Sequence, residues 1–425
     1  MTVVCLRVDK RIGFSKVSIS RCTHYQSVSS AKSVAKVFPP VCTPSHVRHP
    51  SYNATVRRTS VLIIGAGPAG SVASILLARR GFDVTPVEQA RFPRDKVCGE
   101  CVSALGLDVL QRHDLTQHFE PFAPVKLTRA ALHAPGGASV VLDLPRAMWG
   151  ISRHVMDDVM LNVAKTAGVR VLQPARCETL DASKDRVRAT VREVGTQSTQ
   201  ALEASCAILA DGRGALLPTK HAPTDDFGMK THFQDVDAPR DMISLFGVNG
   251  HYGGLAPIEA GRWNVAFSIP KSRLKSGAKN MDQLFASIIE ENASLVAQFR
   301  HAKRSGEWQT SALPRFAVVD HWPARVIPIG NAAAALEPVG GEGMGLAMRS
   351  AELAALALVN GTSMRDLRGA FDKLWRTRRT ACRATAMLMS RPTLAGWVVP
   401  FVRSVPALHG SALACIGKKS VSSTS

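Results

Sequence analysis

Three glycines, Gly65, Gly67 and Gly70, carry the first chemical signal in the chain. Spaced G-x-G-x-x-G, with Pro68 and Ala69 between the second and third, they follow Val61–Ile64, a short apolar run suited to a buried parallel strand. The first glycine permits a tight turn. The second lets backbone N–H groups approach a pyrophosphate, and the third lets a helix pack closely on its strand. A helix over Ser71–Arg80, stopped by Gly81, aims the positive end of its dipole at the phosphates. Phe82–Val87 reads as a second strand ending at Glu88, 18 residues past Gly70, where an acid can accept hydrogen bonds from ribose hydroxyls. Strand, glycine turn, helix, strand and acid in this order predict a dinucleotide site, with FAD and NAD both open.

Four further stretches could do chemistry. In Cys206–Gly214, CAILADGRG, an apolar strand ends in Asp211, which can orient backbone and Arg groups near phosphates, while Gly212 and Gly214 allow close approach. Val326–Gly345 holds a buried strand, then Gly330-Asn331, Pro338 and Gly341/Gly343/Gly345, with a helix from about Gly343 that includes Met344. In Gly150–Met160, Arg153 supplies a planar, always-charged fork for phosphate, the alternative being a surface arginine at a helix start. In Pro93–Glu100, Cys98-Gly99 offers a second close backbone approach. Cys98 and Cys101 also form one C-x-x-C, which could exchange electrons as a dithiol. No general acid or base is assigned: Glu337 and Glu342 could cap backbone N–H groups, and His251 and Tyr252 read as satisfied buried residues.

The elements that position these residues follow from patterning. A helix is placed at Ser103–His113, and strand-like runs at Lys126–His133 and Ala138–Leu144 flank Pro135-Gly136-Gly137 as a hairpin. Val155–Thr166 is an amphipathic helix closed by Gly168, and Val169–Leu172, Ala175–Leu180, Arg186–Val194 and Gln200–Glu203 are short strands that form a β-meander. Phe227–Phe233, Met242–Val248, Tyr252–Pro257 and Trp263–Ile269 suggest an antiparallel sheet on the substrate side. One helix, capped by Asn280, is placed over Asn280–Arg300, and the C-terminal third is helical. The tail Met387–Ile416 is apolar but broken by Pro392, Pro400, Pro406, Arg391 and Arg403. It reads as helices packed on the body, with one face resting on a membrane as the other reading.

Composition bounds the rest. The chain has 425 residues, 45% of them hydrophobic, enough to bury sizeable cores. Of 53 basic and 33 acidic residues, ten basic and one acidic fall in residues 1–58, so the body keeps a net charge of +11. That balance favours phosphate-bearing cofactors, acidic substrates or an anionic membrane surface. Nucleic acid is not expected, because no recognised module is present. Residues 1–58 read as a basic leader outside the fold, with organelle targeting the lesser reading. The nine cysteines show no disulfide framework and point to a reducing, cytoplasmic setting. No metal site is expected, since the one C-x-x-C lacks a second ligand pair.

Taken together, these motifs resemble the FAD-dependent oxidoreductases with the p-hydroxybenzoate hydroxylase fold. Within them, the Pro93–Glu100 segment is most similar to the geranylgeranyl-reductase-like branch, over roughly residues 60–400. The resemblance implies that Gly65, Gly67, Gly70 and Glu88 hold the ADP part of FAD, that Asp211-Gly212 lies near its pyrophosphate and a nicotinamide donor, and that Gly330-Asn331 contacts the ribityl chain. It places Gly343, Met344 and Gly345 at the flavin ring, Arg153 near the cofactor with Asp157 turned toward it, and Cys98-Gly99 across the flavin from the substrate cavity. Asn331 stands where the family carries Asp. The halogenase motif W-x-W-x-I-P is not matched: His251–Pro270 contains only Trp263, in another spacing. Lys96 is read as part of a cofactor-side loop.

The expected fold is α/β: an FAD/NAD(P)-binding Rossmann-like domain (59–225, with a β-hairpin inserted near 125–145), an antiparallel-sheet substrate domain (226–315), and a helical C-terminal region with the flavin-contacting loop (316–420). The expected function is an FAD-dependent reductase or monooxygenase acting on a hydrophobic, isoprenoid or polyketide-like substrate, with NAD(P)H as a possible donor. An electron-transfer flavoprotein serving a partner protein is the alternative, and a halogenase is a lesser one.

Overall fold

The chain builds two sheets and passes between them four times. β1 (Val56–Ile64) leads into α1 (Pro68–Ala78) and β2 (Val84–Val87). Val61, Leu62 and Ile63 of β1 are fully buried, as their unbroken apolar run requires of a strand covered on both faces. Each such side chain contributes about 1.5–3 kcal/mol on burial. Pro68 starts α1 three residues earlier than expected, since its fixed φ and missing N–H suit a first helical position.

The computed structural model describes residues 56–212, 216–217, 226–275, 280–314, 316, 318–319 and 321–412. Gly214, the end of the tail, and most of the basic leader lie outside the described residues. Val56–Arg58, placed in the leader by composition, instead extend β1 and pair with Ala201–Glu203.

After β2 the chain enters the second sheet through β3 (Cys101–Val102), followed by α2 (Ala104–Arg112), β4 (Val125–His133) and β5 (Ser139–Gly150). It returns through α3 (Arg153–Thr166) to β6 (Ala175–Ala182), β7 (Val187–Glu193) and β8 (Thr199–Leu209). The second sheet then receives β9 (Asp226–Gln234), β10 (Met242–Val248), β11 (His251–Pro257) and β12 (Trp263–Pro270). After α4 (Lys271–Lys275), α5 (Met281–Glu290) and α6 (Ala293–Gln298) come the short β13 (Lys303–Arg304) and β14 (Gln309–Ala312). β15 (Val326–Pro328), α7 (Gly343–Asn360), α8 (Met364–Met389), α9 (Pro392–Ser404) and α10 (His409–Ala412) complete the described fold.

The first sheet has the order β2-β1-β8-β7-β6, with β15 also on β8. β8 is long enough to serve two partners on one edge. Its first half pairs antiparallel with β7, and Ala207–Leu209 pair parallel with β15. The second sheet runs β13-β9-β12-β11-β10-β4-β5-β3, with β14 on β9.

Two expectations change here. The hairpin near 125–145 forms, but it is not an insertion in the cofactor-side sheet. β4 pairs parallel with β10 from Met242↔Arg129 to Phe246↔His133, which buries Ala130 and Leu132 in the substrate-side sheet. Membership of a sheet is decided by long-range pairing, which local patterning does not report. The single helix over 280–300 is two, α5 and α6. Asn280 caps the first as expected, accepting from Gln283 N–H at 2.9 Å, and Asn292 caps the second, accepting from Ser294 and Leu295 N–H.

Where α7 crosses α2, glycine sets the spacing. A Cβ on Gly345 would stand 2.1 Å from Ser103 Oγ, and one on Gly106 would stand 3.0 Å from Gly345 Cα.

Candidate functional site

A cleft enclosing about 1900 Å³ of space, its solvent mouth included, runs from the start of α1 to the inner face of the second sheet. Eleven of the sequence-selected residues line it: Gly67, Pro68, Ala69, Cys98, Gly99, Arg153, Gly212, Gly330, Asn331, Gly343 and Met344. Segments up to 277 positions apart in sequence therefore share one surface, as the motifs required. Gly65, Gly70, Glu88, Asp211 and Gly345 are not in the wall; four of these five have a visible supporting role.

Gly65 adopts φ +99°, and a Cβ there would stand 2.5 Å from Ala210 O, so the turn lies directly on the end of β8. A Cβ on Gly70 would stand 1.9 Å from Gly65 O, which leaves no room for any side chain where α1 meets the turn. Glu88 is buried and braces that turn. Ala66 N–H donates to its Oε2 and Ala90 N–H to its Oε1, both at 2.8 Å. Gly345 packs against Ser103, as above, and is a helix-contact residue rather than part of the cleft surface. Asp211 follows β8 and adds to the burial that pushes the Cys177 thiol up to about 12.

The α1 end of the cleft is built for an anion. Gly67 caps the helix with no side-chain cap bond, so the first N–H groups of α1 face the cleft without intrahelical partners. Arg153 is buried, and its Nη2 would lie 3.5 Å from a Cβ on Gly67. Its guanidinium donates twice to Asp157, at 2.7 and 2.6 Å, and Arg94 reaches the same carboxylate at 3.0 Å. Asp157 is thus turned to the two arginines and orients them. Burial opposes the Arg153 charge, but Asp157 outweighs it and holds the guanidinium above its ordinary pKa. Lys96 joins this group, its Nζ 3.2 Å from where a Cβ on Gly212 would stand. Its side chain is exposed to the cleft's void but crowded by protein on its other sides. That burial, then Arg153 and Arg94, pushes its pKa down to about 8.

The α7 end offers a second helix N-terminus. Glu342 precedes α7 without capping it; its Oε2 instead accepts from Ser103 Oγ at 3.2 Å and lies 3.5 Å from Arg378 Nε. The N–H groups of Gly343 and Met344 therefore point their dipole into the cleft.

Between the two ends lies a buried ionic cluster that sequence reasoning missed. Glu100, fully buried at φ +55°, holds Lys230 Nζ at 2.6 Å and His232 Nε2 at 2.8 Å, and accepts from Arg153 N–H at 2.8 Å. Asp95 lies 3.3 Å from the same ammonium. Asp95, Glu100 and His232 have the spacing of a metal triad, but the Lys230 ammonium already bridges two of its members, Asp95 and Glu100. The signal was available: Lys230 and His232 are spaced i, i+2 on the otherwise apolar strand FGMKTHF, so both face one side and need a buried partner. The cluster fastens the Cys98-Gly99-Glu100 segment to β9. Burial, then Cys98 and Glu100, pushes the Cys101 thiol well up, which opposes the dithiol reading.

The far half of the cleft is apolar, walled by Ala130, Leu132, Leu142, Ile243, Leu245 and Phe267. Polar groups interrupt it at Ser244, at Ser268 and at Tyr252, whose Oη donates to Glu337 Oε2 at 2.9 Å. Burial, then Glu337, raises the Tyr252 pKa well above its ordinary value, and burial likewise raises that of Glu337. Glu337 thus does not cap backbone N–H groups. His251 lies outside the cleft wall; its Nδ1 bonds Asn249 O at 2.8 Å, but its Nε2 is buried without a hydrogen-bond partner among the described residues, so it is not the fully satisfied histidine that was expected.

Residues 58–363 match the family model described as an FAD binding domain. The chain belongs to this FAD-binding family. Among its curated relatives is the menaquinone reductase of Mycolicibacterium smegmatis, 27% identical over 337 residues, covering 72% of this chain and 77% of that protein. A kynurenine 3-monooxygenase of Xanthomonas oryzae is 27% identical over 317 residues, covering 68% of this chain and 69% of that protein. In fold, a flavin-dependent brominase superposes with a TM-score of 0.68 at 19% identity, covering 85% of this chain and 94% of that one. A geranylgeranyl bacteriochlorophyll reductase-like protein from Thermoplasma acidophilum gives 0.65 at 17% identity, over 86% and 94%. The chain is an FAD-dependent oxidoreductase with the p-hydroxybenzoate hydroxylase-like fold, as the motifs implied.

The residues present fit FAD. The N-terminus of α1 with Arg153, Arg94 and Lys96 suits a diphosphate, and the glycine turn leaves space that a Cβ would fill. Gly330-Asn331 and the start of α7 line the same surface farther along, where Asn331 can bond a ribityl hydroxyl.

Proposed function

We propose that this FAD-dependent oxidoreductase reduces a hydrophobic, isoprenoid-like acceptor with electrons from NAD(P)H. The observation that carries the reading is the composition of the cleft's far half: apolar walls with a hydrogen-bonded pair, Tyr252 and Glu337, set among them. When bound, FAD supplies hydride chemistry, and the protein supplies binding, orientation and protons.

In this reading the apolar walls bind the acceptor and exclude water. Tyr252 keeps its phenolic proton, because its surroundings penalise the phenolate, and its O–H is held on Glu337 Oε2. The hydroxyl and carboxyl together form a short relay beside a substrate that gains a hydride and needs a proton. Lys96 and Arg153 neutralise the cofactor's diphosphate. The similarity to a menaquinone reductase, a protein named for reducing an isoprenoid quinone, supports the acceptor class.

A second reading, monooxygenase, is favoured by the 27% identity to kynurenine 3-monooxygenase. Rapid mixing separates the two. The purified chain is reduced anaerobically with NADPH or NADH, then mixed with a short-chain quinone or polyprenyl alkene in detergent, or with O₂. Reoxidation by the organic acceptor without O₂ supports the reductase. Reoxidation only by O₂ with a hydroxylated product would replace it by the monooxygenase. Flavin reduced stably in air and discharged only by a protein partner would replace it by electron transfer. Tyr252→Phe should leave reduction by the nicotinamide unchanged and slow the acceptor step by about 10²-fold or more.

A further inference from the structure

From Lys373 to the end, the chain carries nine Lys and Arg residues and no Asp or Glu. α9 lies within this stretch and has two unlike faces. Ala395 and Val399, spaced i, i+4, are 0% and 1% exposed and anchor the helix. Leu394, Trp397 and Phe401, spaced i, i+3, i+7, are 41%, 81% and 60% exposed. Met387, near the end of α8, is 45% exposed as well. Large apolar side chains are not left in water without an occupant as a rule, and two aromatics and a leucine on one short helix form a patch. Among the described residues no helix is long and apolar enough to cross a membrane, and Pro400 and Arg403 interrupt this one. The pattern is that of a helix lying in an interface, aromatic and leucine side chains inward and arginines at its ends.

We propose that α9 docks this protein in-plane on an anionic bilayer surface. Charge complementarity selects that occupant: an acid-free, basic stretch meets anionic headgroups, while Trp397 and Phe401 enter the acyl boundary. The inner face of α9 points to a reason. Ala395 and Val399 pack in the same core as Leu132, Leu142, Leu245 and Tyr252, which wall the apolar half of the cleft. Docking therefore sets the bilayer on the outer side of the core that walls that half. The proposal stands on the exposed face and charge alone and does not depend on which acceptor is reduced.

Flotation of the full chain with vesicles tests it, using phosphatidylglycerol with phosphatidylcholine against phosphatidylcholine alone. The protein should float with the anionic vesicles, far less with the neutral ones, and less as salt rises. Brominated lipid should quench its tryptophan emission. Trp397→Ser/Phe401→Ser should weaken binding by about tenfold or more, with an unchanged thermal midpoint because both side chains are exposed. Arg391→Gln/Arg403→Gln, at positions outside the core, should lower binding and its salt dependence together. Absence of flotation with anionic vesicles, or equal flotation of wild type and the Trp397→Ser/Phe401→Ser variant, would overturn the proposal. So would light scattering that shows a dimer dispersed by that variant, which would make a second copy the occupant.

Discussion

Glutamine at position 100 is the sharpest perturbation of the site. Glu100 is fully buried, Lys230 is 1% exposed, and their atoms lie 2.6 Å apart. Glu100→Gln keeps the shape and removes the charge. The Lys230 ammonium is then left with Asp95 at 3.3 Å, a carboxylate that is itself partly open to solvent. Breaking a buried pair by removing one member costs about 3–5 kcal/mol, against a total stability of roughly 5–15 kcal/mol. Denaturant unfolding of the apoprotein should show a loss in that range. Glu100→Gln/Lys230→Met should recover most of it, because no uncompensated charge remains. The pH dependence carries a sign. Burial opposes ionisation of Glu100, but His232 and Lys230 overcome it and hold its pKa below the ordinary carboxylate value. Its contribution is therefore complete above the unfolded pKa of about 4.3 and is lost as pH falls through the lower folded value. The Glu100→Gln curve should lack that limb. A single variant within about 1 kcal/mol of wild type, or a double variant no more stable than the single, would refute the reasoning, since intact buried pairs are worth more than that when broken.

Three further outcomes follow from the cofactor end. With its pKa at about 8, Lys96 loses its proton as pH rises through that value, so FAD binding to the apoprotein should weaken above it; Lys96→Met should bind more weakly near neutrality and lack the same limb. Flavin fluorescence titration across the window checks this, and a flat wild-type profile contradicts it. Gly70→Ala should weaken FAD binding by about 1–3 kcal/mol, because its Cβ would meet the Gly65 carbonyl and open the turn. Gly99→Ala separates packing from ligand approach: a Cβ there meets nothing within 4 Å, so unfolding should be unchanged while ligand affinity falls.

The cofactor half was legible because its chemistry is done by backbone. Gly65, Gly67 and Gly70 mark a turn that few other residues can make, and the strand before and helix after are encoded within 30 residues of it. The Gly343 helix start was readable for the same reason. What escaped depends on long-range pairing. Glu100 meets Lys230 and His232 only once β9 lies against the Cys98-Gly99 segment, and Tyr252 meets Glu337 across 85 positions. Gly345 looked like the third member of a flavin loop, yet α2 crossing over α7 explains it fully. Glu88 was read as a ribose acceptor; its oxygens also accept from Ala66 N–H in the turn and from Ala90 N–H beyond β2, a bracing role that the sequence did not show. The hairpin at 125–145 was read as an insertion within the FAD-binding domain, and its pairing with β10 in the second sheet leaves no local trace.

The central claim is that the α1 turn, the Lys96–Arg153 group and the α7 N-terminus hold one FAD. Purification of the full chain and a visible spectrum test it directly. Bands near about 370 and 450 nm, the range of oxidised flavin, with FAD released on denaturation at about one per chain, are the predicted result. A colourless protein that yields no FAD and takes up none when FAD is added would contradict it.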